Sequence, residues 1–250
     1  MKLIIPKKKY ARILVVGVGG TGGHLVPNLF RLAYSLANKK EQQRIINIIL
    51  ADGDRVEKKN LFRQNFIEKD LDQNKAEILS KRYGAAYGVE TSYIPDYIEN
   101  EDIILEILKQ TKEEKFLPIL ISCVDNNSSR QMFHRVFQKL DEIFYIDSGN
   151  GEFTGQVVCG YKRKGEVVLP PVGELYPDML EVNAEEDKFR SEQSCGAVIV
   201  SSPQNMMANV MAATVIMGFV NDIVAVGTLE VGAVTFSAYS INCRSRFIAV

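Results

Sequence analysis

Residues 17–22, with the sequence GVGGTG, form a glycine-rich segment of the kind that binds nucleotide phosphates. Glycines let a backbone approach phosphate oxygens, and a helix that starts there supplies amide hydrogens and the positive end of its dipole. Such glycine patterns also arise by chance, and a tight turn that packs a helix on a strand needs the same residue type. The segment therefore leaves both interpretations open.

A carboxylate follows at the end of a second apolar run. Asp52 comes directly after residues 45–51, IINIILA, and an acid in this position of a βαβ unit normally hydrogen-bonds ribose hydroxyls. The gap from the glycines is longer than the usual value of about 20 residues, because polar residues 38–44 form an inserted loop. Asp52 beside Gly53 would equally suit a simple turn, so both roles stay open.

Amide and cationic side chains come next, at Asn60, Arg63, Gln64 and Lys75. A redox dinucleotide has little use for this much positive charge near its phosphates. A triphosphate attacked at its α-phosphate does need such charge, because the leaving pyrophosphate becomes more negative and Arg or Lys stabilises it. The alternative is a solvated charged loop, which is the usual role of such a stretch.

Asp125 follows a third apolar run, residues 116–123, and precedes a helix-start signal at residues 126–129, NNSS. Ligands of open α/β sheets lie beyond the carboxyl ends of the strands, so we expect Asp125 to face the same crevice as Asp52. A carboxylate there can hold the Mg²⁺ that accompanies ATP. Alternatively, Asp125 or a neighbouring asparagine only caps the next helix.

These side chains can meet only if parallel strands bring them to one edge of a sheet. Residues 11–16, 45–51 and 116–123 are apolar runs, which predicts buried parallel strands. After Thr21 the apolar residues recur at helical spacing, so the glycines lie on a strand-to-helix turn. We therefore predict an α/β fold with a Rossmann-like, mostly parallel sheet flanked by helices.

Together these motifs resemble those of the ThiF/MoeB/HesA superfamily of adenylyltransferases, which is related to ubiquitin-activating enzymes. That superfamily combines GxGGxG, an aspartate-rich strand end that runs into NLxRQ, a downstream lysine and a further aspartate. This chain has GVGGTGG, DGDRVEKKNLFRQ, DLDQNKA and SCVDN in the same order. The similarity covers residues 11–130, continues more weakly to about residue 220, and looks closest to the ThiF-type component of bacterial PRTRC element systems.

The resemblance implies a role for each matching residue. The glycines would cradle ATP phosphates, and Asp52 would bind ribose. Arg63 and Lys75 would act on the phosphates as catalytic residues, and Asp125 would help to bind Mg²⁺. The nucleotide-binding set implied in this way is Gly17, Gly19, Gly20, Thr21, Gly22, Asp52, Asp54, Asn60, Arg63, Gln64, Lys75 and Asp125.

The four cysteines, at positions 123, 159, 195 and 243, lie far apart without a CxxC pair. Many members of the superfamily hold a structural zinc on two CxxC pairs, so we expect no zinc here. Cys195 lies after an acidic stretch and before an apolar helix, where the superfamily often has its thioester-forming cysteine, although the glycine spacing differs. Cys195 is therefore a candidate catalytic nucleophile, and the alternative is an inert thiol.

A single domain is expected from 250 residues. We expect a nucleotide-binding core over residues 1–160, a crossover loop over 161–192, and a C-terminal helix and antiparallel strands over 193–250. The loop is rich in Pro, Gly and charge, and the superfamily covers its substrate tail at this place. The apolar run 206–220 is shorter than the roughly 20 residues that span a bilayer, so it predicts a buried core or dimer-interface helix.

The net charge of −1, without a strong basic patch, argues against a nucleic-acid partner. The chain opens without a signal-peptide pattern, and its scattered cysteines fit a reducing cytoplasm, so we expect a cytoplasmic protein that does not contact a membrane. The resemblance adds a homodimer, and a partner that is a ubiquitin-like protein or peptide with a C-terminal carboxylate.

The sequence as a whole favours an ATP-dependent adenylyltransferase, in which a carboxylate attacks the α-phosphorus and pyrophosphate leaves. A Rossmann protein that binds NAD(P) is one alternative. A non-catalytic scaffold that binds a ubiquitin-like partner is another, and the presence of Arg63, Lys75 and Asp125 argues against it.

Overall fold

The computed structural model describes residues 2–39, 43–111, 115–181 and 205–248. Its strands are β1 (Leu3–Ile4), β2 (Tyr10–Val16), β3 (Ile45–Ala51), β4 (Thr91–Ile94), β5 (Leu117–Ser122), β6 (Ile143–Asn150), β7 (Thr154–Arg163), β8 (Glu166–Leu169), β9 (Thr228–Leu229), β10 (Val231–Ser237) and β11 (Asn242–Phe247). Its α-helices are α1 (Gly20–Ala37), α2 (Lys75–Tyr87), α3 (Glu101–Leu108), α4 (Asn127–Lys139), α5 (Val172–Leu175) and α6 (Met206–Asn221).

Five strands form a parallel half of the main sheet, in the order β4-β3-β2-β5-β6. Strand β2 pairs with β3 on one side and with β5 on the other, so the strand order reverses at β2. Open α/β sheets bind ligands at such a switch point, outside the carboxyl ends of the strands. The prediction of a mostly parallel, Rossmann-like sheet is confirmed.

Helices cover both faces of this sheet, and β2 shows why its sequence is apolar throughout. Ile13 and Val15 pack into one core together with α1, α2 and α6. Leu14 and Val16 point to the opposite face and pack with α3 and α4. A strand that is buried on both faces has no polar side, which is why a continuous apolar run predicted it.

The C-terminal part extends the sheet in antiparallel fashion, as expected. Strand β6 pairs with β7, β7 with β10, and β10 with β11, which forms the outer edge. Strand β8 pairs separately with β7, and the short strands β1 and β9 pair with each other.

The predicted start of the crossover loop at residue 161 is wrong. Strand β7 continues to Arg163, and Lys164 and Gly165 turn the chain into β8 with φ values of +54° and +81°. Positive φ at both central residues is the geometry of a two-residue hairpin turn. The sequence did not indicate this turn, because its first central residue is usually asparagine or glycine and is lysine here. Residues 182–192 lie outside the described residues, so a crossover loop there stays a prediction.

Helix α6 follows the predicted apolar run and begins after Asn205, whose side chain accepts a hydrogen bond from Met207 N at 2.8 Å. A π-helical turn extends it to Val226, and among the described residues it is the one helix long and apolar enough to cross a membrane. One face, with Ala208, Ala212 and Ile216, is fully buried in the core. The helix therefore serves the core, and a role at a dimer interface stays a prediction.

Candidate functional site

The glycine segment forms the turn between β2 and α1. Gly17 has a φ of +86°, and a Cβ on it would lie 2.7 Å from the carbonyl oxygen of Cys123. A Cβ on Gly22 would lie 2.0 Å from the carbonyl oxygen of Gly17, so the turn closes only with glycine at both positions. Helix α1 then begins at Gly20 without a side-chain cap from Gly19, which leaves N–H groups for an anionic ligand.

Asp52 ties the end of β3 to this turn. Its Oδ2 accepts a hydrogen bond from Val18 N at 2.7 Å, and its Oδ1 accepts one from Asp54 N at 2.9 Å. Burial raises the pKa of Asp52 above its ordinary value, while the Lys75 cation acts in the opposite direction. Asp52 is thus more than a local turn former, and its oxygens keep further lone pairs for hydroxyl donors.

Lys75 reaches the same crevice from the first turn of α2. Its Nζ lies 2.8 Å from Asp54 Oδ2, and its side chain is only 4% exposed. Tyr97, in the segment after β4, donates its hydroxyl to the other oxygen of Asp54. The Tyr97 ring also covers Gly53, where a Cβ would lie 2.6 Å from a ring carbon. A buried cation is therefore held at the strand ends by one carboxylate, which a tyrosine fixes.

Asn60 builds the turn that carries the predicted phosphate residues. It is buried, and its Oδ1 accepts a hydrogen bond from Glu57 N at 2.8 Å. Its carbonyl oxygen accepts hydrogen bonds from Arg63 N at 3.2 Å and from Gln64 N at 2.8 Å. The contacts of Asn60 therefore shape the backbone around Arg63 and Gln64.

This turn docks on the start of α1. His24 Nε2 donates to the carbonyl oxygen of Arg63 at 3.2 Å, which gives this histidine a structural role. The side chain of Gln64 lies 3.4 Å from the position that a Cβ of Gly19 would take. No hydrogen bond or ion pair engages the Arg63 guanidinium within the described part of the chain. The backbone of the turn that carries Arg63 thus lies against the start of α1.

Asp125 lies in the loop that follows β5, against the other side of the glycine turn. The neighbouring Asn126 caps α4, because its Oδ1 accepts a hydrogen bond from Ser129 N at 2.8 Å. The carboxylate of Asp125 is exposed and is not the cap. Asn126 thus performs the capping that the sequence left open, and a role of Asp125 in binding a cation stays a prediction.

Arg130, on α4, holds the loop after β5 in place, and the sequence motifs did not reveal this residue. Its Nη2 donates to the carbonyl oxygens of Val124 at 3.0 Å and Ser148 at 2.9 Å, and its Nε lies 3.3 Å from Asp147 Oδ1. Asp147 is buried and also accepts a hydrogen bond from Ser122 Oγ at 2.7 Å. A cation in the first turn of a helix, where the dipole disfavours it, is the signal that would have marked Arg130.

Two asparagines from distant elements meet at Thr21, in the first turn of α1. Asn150 Nδ2, at the end of β6, donates to Thr21 Oγ1 at 2.7 Å. Thr21 Oγ1 donates in turn to Asn209 Oδ1, on α6, at 3.3 Å. Asn209 was visible in the sequence as a polar residue in an apolar run, but nothing there showed which element it would face.

The predicted nucleophile Cys195 lies outside the described residues, so its role stays a prediction. Burial raises the pKa of the thiols of Cys123 and Cys159, which makes both poor nucleophiles and agrees with their place in or beside strands. Cys243 is exposed on β11. Within the described ranges no three His, Cys, Asp or Glu side chains group as a metal site, and the expectation of no zinc stays a prediction.

The structure therefore brings most of the predicted set to one crevice. Asp52 hydrogen-bonds to the glycine turn and to Asp54, which in turn pairs with Lys75. The side chain of Gln64 packs on the glycine turn, and the loop that carries Asp125 packs against Gly17. Arg63 lies one residue from Gln64 in the docked turn. Tyr97, Arg130, Asn150 and Asn209 are the residues that complete this arrangement and that sequence reasoning missed.

Solved structures with the same fold include PaaA, at a TM-score of 0.64 and 15% identity, over 95% of this chain and 64% of that one. Escherichia coli MccB solved with ATP matches at a TM-score of 0.61 and 16% identity, over 95% of this chain and 63% of that one. MccB solved with AMPCPP and MccA matches at 0.60 and 17%, with the same coverage. The chain thus spans less than two thirds of the length of these proteins, and at such identities the likeness shows the fold.

The family is shown by a different comparison. The model of the ThiF family matches residues 6–247, which is nearly the whole chain. The match includes every residue of the crevice described above. This chain is a member of the ThiF family.

Proposed function

We propose that this chain is an ATP-dependent adenylyltransferase that activates the C-terminal carboxylate of a ubiquitin-like protein or peptide. One observation carries the proposal: an uncapped, glycine-lined helix start, a ribose-type carboxylate and a buried lysine converge at the carboxyl ends of β2 and β3. Helix starts of this kind bind phosphate, and the switch point beside β2 is where ligands of such sheets bind.

The charges favour a triphosphate over a dinucleotide. Lys75 brings a buried cation to the crevice, where it pairs with Asp54. Arg63 would bring a second cation from the turn that docks on the start of α1. When a carboxylate attacks the α-phosphorus, the bond to the bridging oxygen breaks and pyrophosphate leaves with added negative charge. Fixed cations stabilise that charge without reorganisation at the moment of reaction, which is the largest contribution that such a site makes.

The residues present also fit a divalent cation. Asp125 presents an exposed carboxylate at the end of β5, and carboxylate oxygens are the ligands that Mg²⁺ prefers in proteins. Bound there, Mg²⁺ would neutralise phosphate charge and orient the triphosphate. Arg130 would tie the backbone directly before Asp125 to strand β6 through its contacts with Val124 and Ser148.

The fold neighbours support a second substrate beside the nucleotide. MccB has been solved with ATP, and with AMPCPP together with MccA. For this chain the corresponding substrate would be a polypeptide with a free C-terminal carboxylate. A homodimer, a cytoplasmic location and the resemblance to the ThiF-type component of PRTRC element systems belong to the same proposal.

A thioester step would extend the reaction through Cys195. Its thiolate sulfur would attack the acyl carbon of the adenylate, forming a carbon–sulfur bond while the bond to the phosphate oxygen breaks and AMP leaves. We expect Cys195→Ala to abolish an adduct that is sensitive to reductant and to leave adenylation intact. A non-reducing gel after incubation with ATP and the acceptor tests this, and an adduct that persists in the variant would reassign the nucleophile.

Pyrophosphate exchange into ATP tests the adenylation step. Peptides that end in Gly-Gly with a free carboxylate serve as acceptors, and the same peptides with an amidated terminus are the matched control. We expect exchange that requires the carboxylate, Mg²⁺ and Arg63. Exchange that is equal for both peptides would contradict carboxylate activation.

A further inference from the structure

The first turn of α1 is intrinsically weak. Three of its first four residues are glycines, and glycine loses more conformational freedom on folding than any other residue. Gly19 provides no side-chain cap, and no acidic residue in the first turn complements the helix dipole. Thr21 is the one residue of this turn with a polar side chain. Its hydroxyl is therefore the side-chain group through which other elements can hydrogen-bond to the turn.

Strand β6 and helix α6 each hydrogen-bond to the Thr21 hydroxyl. Asn150 donates to Thr21 Oγ1 at 2.7 Å, and Thr21 donates to Asn209 Oδ1 at 3.3 Å. Asn150 is itself fixed, because its Oδ1 accepts a hydrogen bond from Ser148 Oγ at 3.1 Å. The resulting polar chain of Ser148, Asn150, Thr21 and Asn209 links the end of β6 and the first turn of α6 to the glycine turn.

Asn209 costs the core stability. It is 0% exposed on an apolar helix, and its Nδ2 has no hydrogen-bond partner among the described residues. A buried donor without an acceptor is unfavourable, and an apolar side chain of similar size would avoid that penalty. The amide also restricts Gly20, where a Cβ would lie 2.6 Å from Asn209 Nδ2. The approach to Gly20 places the amide of Asn209 against the glycine turn.

We propose that Asn209, together with Asn150, is a positioning residue that fixes the first turn of α1 for phosphate binding. The proposal rests on the proposed function, because it assigns these residues to the nucleotide site of that reaction. Helix α6 is thereby part of the nucleotide site, although it belongs to the C-terminal part of the chain. The Nδ2 group of Asn209 faces Gly20, the first residue of the helix start at which a phosphate would bind.

ATP–Mg²⁺ is the probe, and calorimetry on the full chain measures its Kd. Asn209→Leu and Thr21→Val should each weaken ATP binding by about tenfold, and the double variant should lose little more than either single one, because groups in one network are coupled. Thr21→Ser, which keeps the hydroxyl, should bind ATP more tightly than Thr21→Val. Asn150→Ala, at a partly exposed strand end, gives a second variant if Asn209→Leu does not fold.

Ala212→Gly is the matched control, because it weakens α6 one turn later without touching the polar chain. It should lower the thermal midpoint and leave the Kd for ATP unchanged. Hydrogen exchange of residues 17–26 should speed up in Asn209→Leu and not in Ala212→Gly. Wild-type chain that does not bind ATP would overturn the proposed function. Wild-type binding that Asn209→Leu and Asn150→Ala both retain within twofold, or effects that simply multiply, would overturn the positioning role alone.

Discussion

The parallel half and the antiparallel half of the sheet contribute to the crevice in different ways. The parallel strands β2, β3 and β5 end in the residues that can meet a nucleotide: the glycine turn, Asp52 and the loop of Asp125. Within residues 143–181 and 205–248, the antiparallel half and α6 present no such motif at the crevice. Helix α6 supplies Asn209, which accepts a hydrogen bond from Thr21. The first antiparallel strand, β7, pairs with β6, and β6 carries Asn150, which donates to Thr21.

The half of the sheet that carries the motifs does not form the site alone. A glycine turn that lacks a side-chain cap gains its binding N–H groups at the expense of its own rigidity. Packing from the other half can restore that rigidity without occupying the N–H groups. Substitutions in the two halves should therefore have effects of different kind and size.

The largest effect is expected where backbone meets backbone in the glycine turn. Gly22→Ala would place a Cβ 2.0 Å from Gly17 O, so we expect loss of measurable ATP binding and a destabilisation of about 1–3 kcal/mol or more. Gly218→Ala in α6 is the matched control, because nothing lies within 4 Å of its Cβ position. That change should raise stability by up to about 1 kcal/mol in a thermal melt. Equal behaviour of the two variants would erase the contrast between the halves.

The next effect concerns charge at the crevice. Arg63→Ala should reduce pyrophosphate exchange by about 100- to 1,000-fold while ATP affinity changes much less, because the guanidinium meets charge that develops in the transition state. Exchange rates and the calorimetric Kd are measured on the same preparation. A rate within threefold of wild type would remove Arg63 from the mechanism.

A smaller effect is expected from Tyr97, which the motifs did not identify. Tyr97→Phe removes the hydroxyl that donates a hydrogen bond to Asp54. The Asp54–Lys75 pair should then be less well placed, and ATP should bind several-fold more weakly. Tyr93→Phe, on β4, is the matched control, since the Tyr93 hydroxyl contacts Glu77 instead. Identical Kd values for both variants would show that Tyr97 only covers Gly53.

Sequence reasoning succeeded where local patterns carry the information. The apolar runs that became β2, β3 and β5 are buried on both faces, and the residues at their carboxyl ends meet because parallel strands end at one edge. It failed where partners are set by tertiary contacts alone. Arg130 contacts β6, and Asn209 contacts α1. No local sequence pattern around either residue indicates that contact. The hairpin at Lys164 was missed because lysine rarely takes a positive φ.

We propose that this crevice binds a triphosphate and not a redox dinucleotide. Calorimetric titration of the wild-type chain with ATP–Mg²⁺ and with NAD measures this most directly, and Gly22→Ala serves as the site control. We expect saturable ATP binding that Gly22→Ala abolishes and no binding of NAD. Binding of NAD without binding of ATP would contradict it.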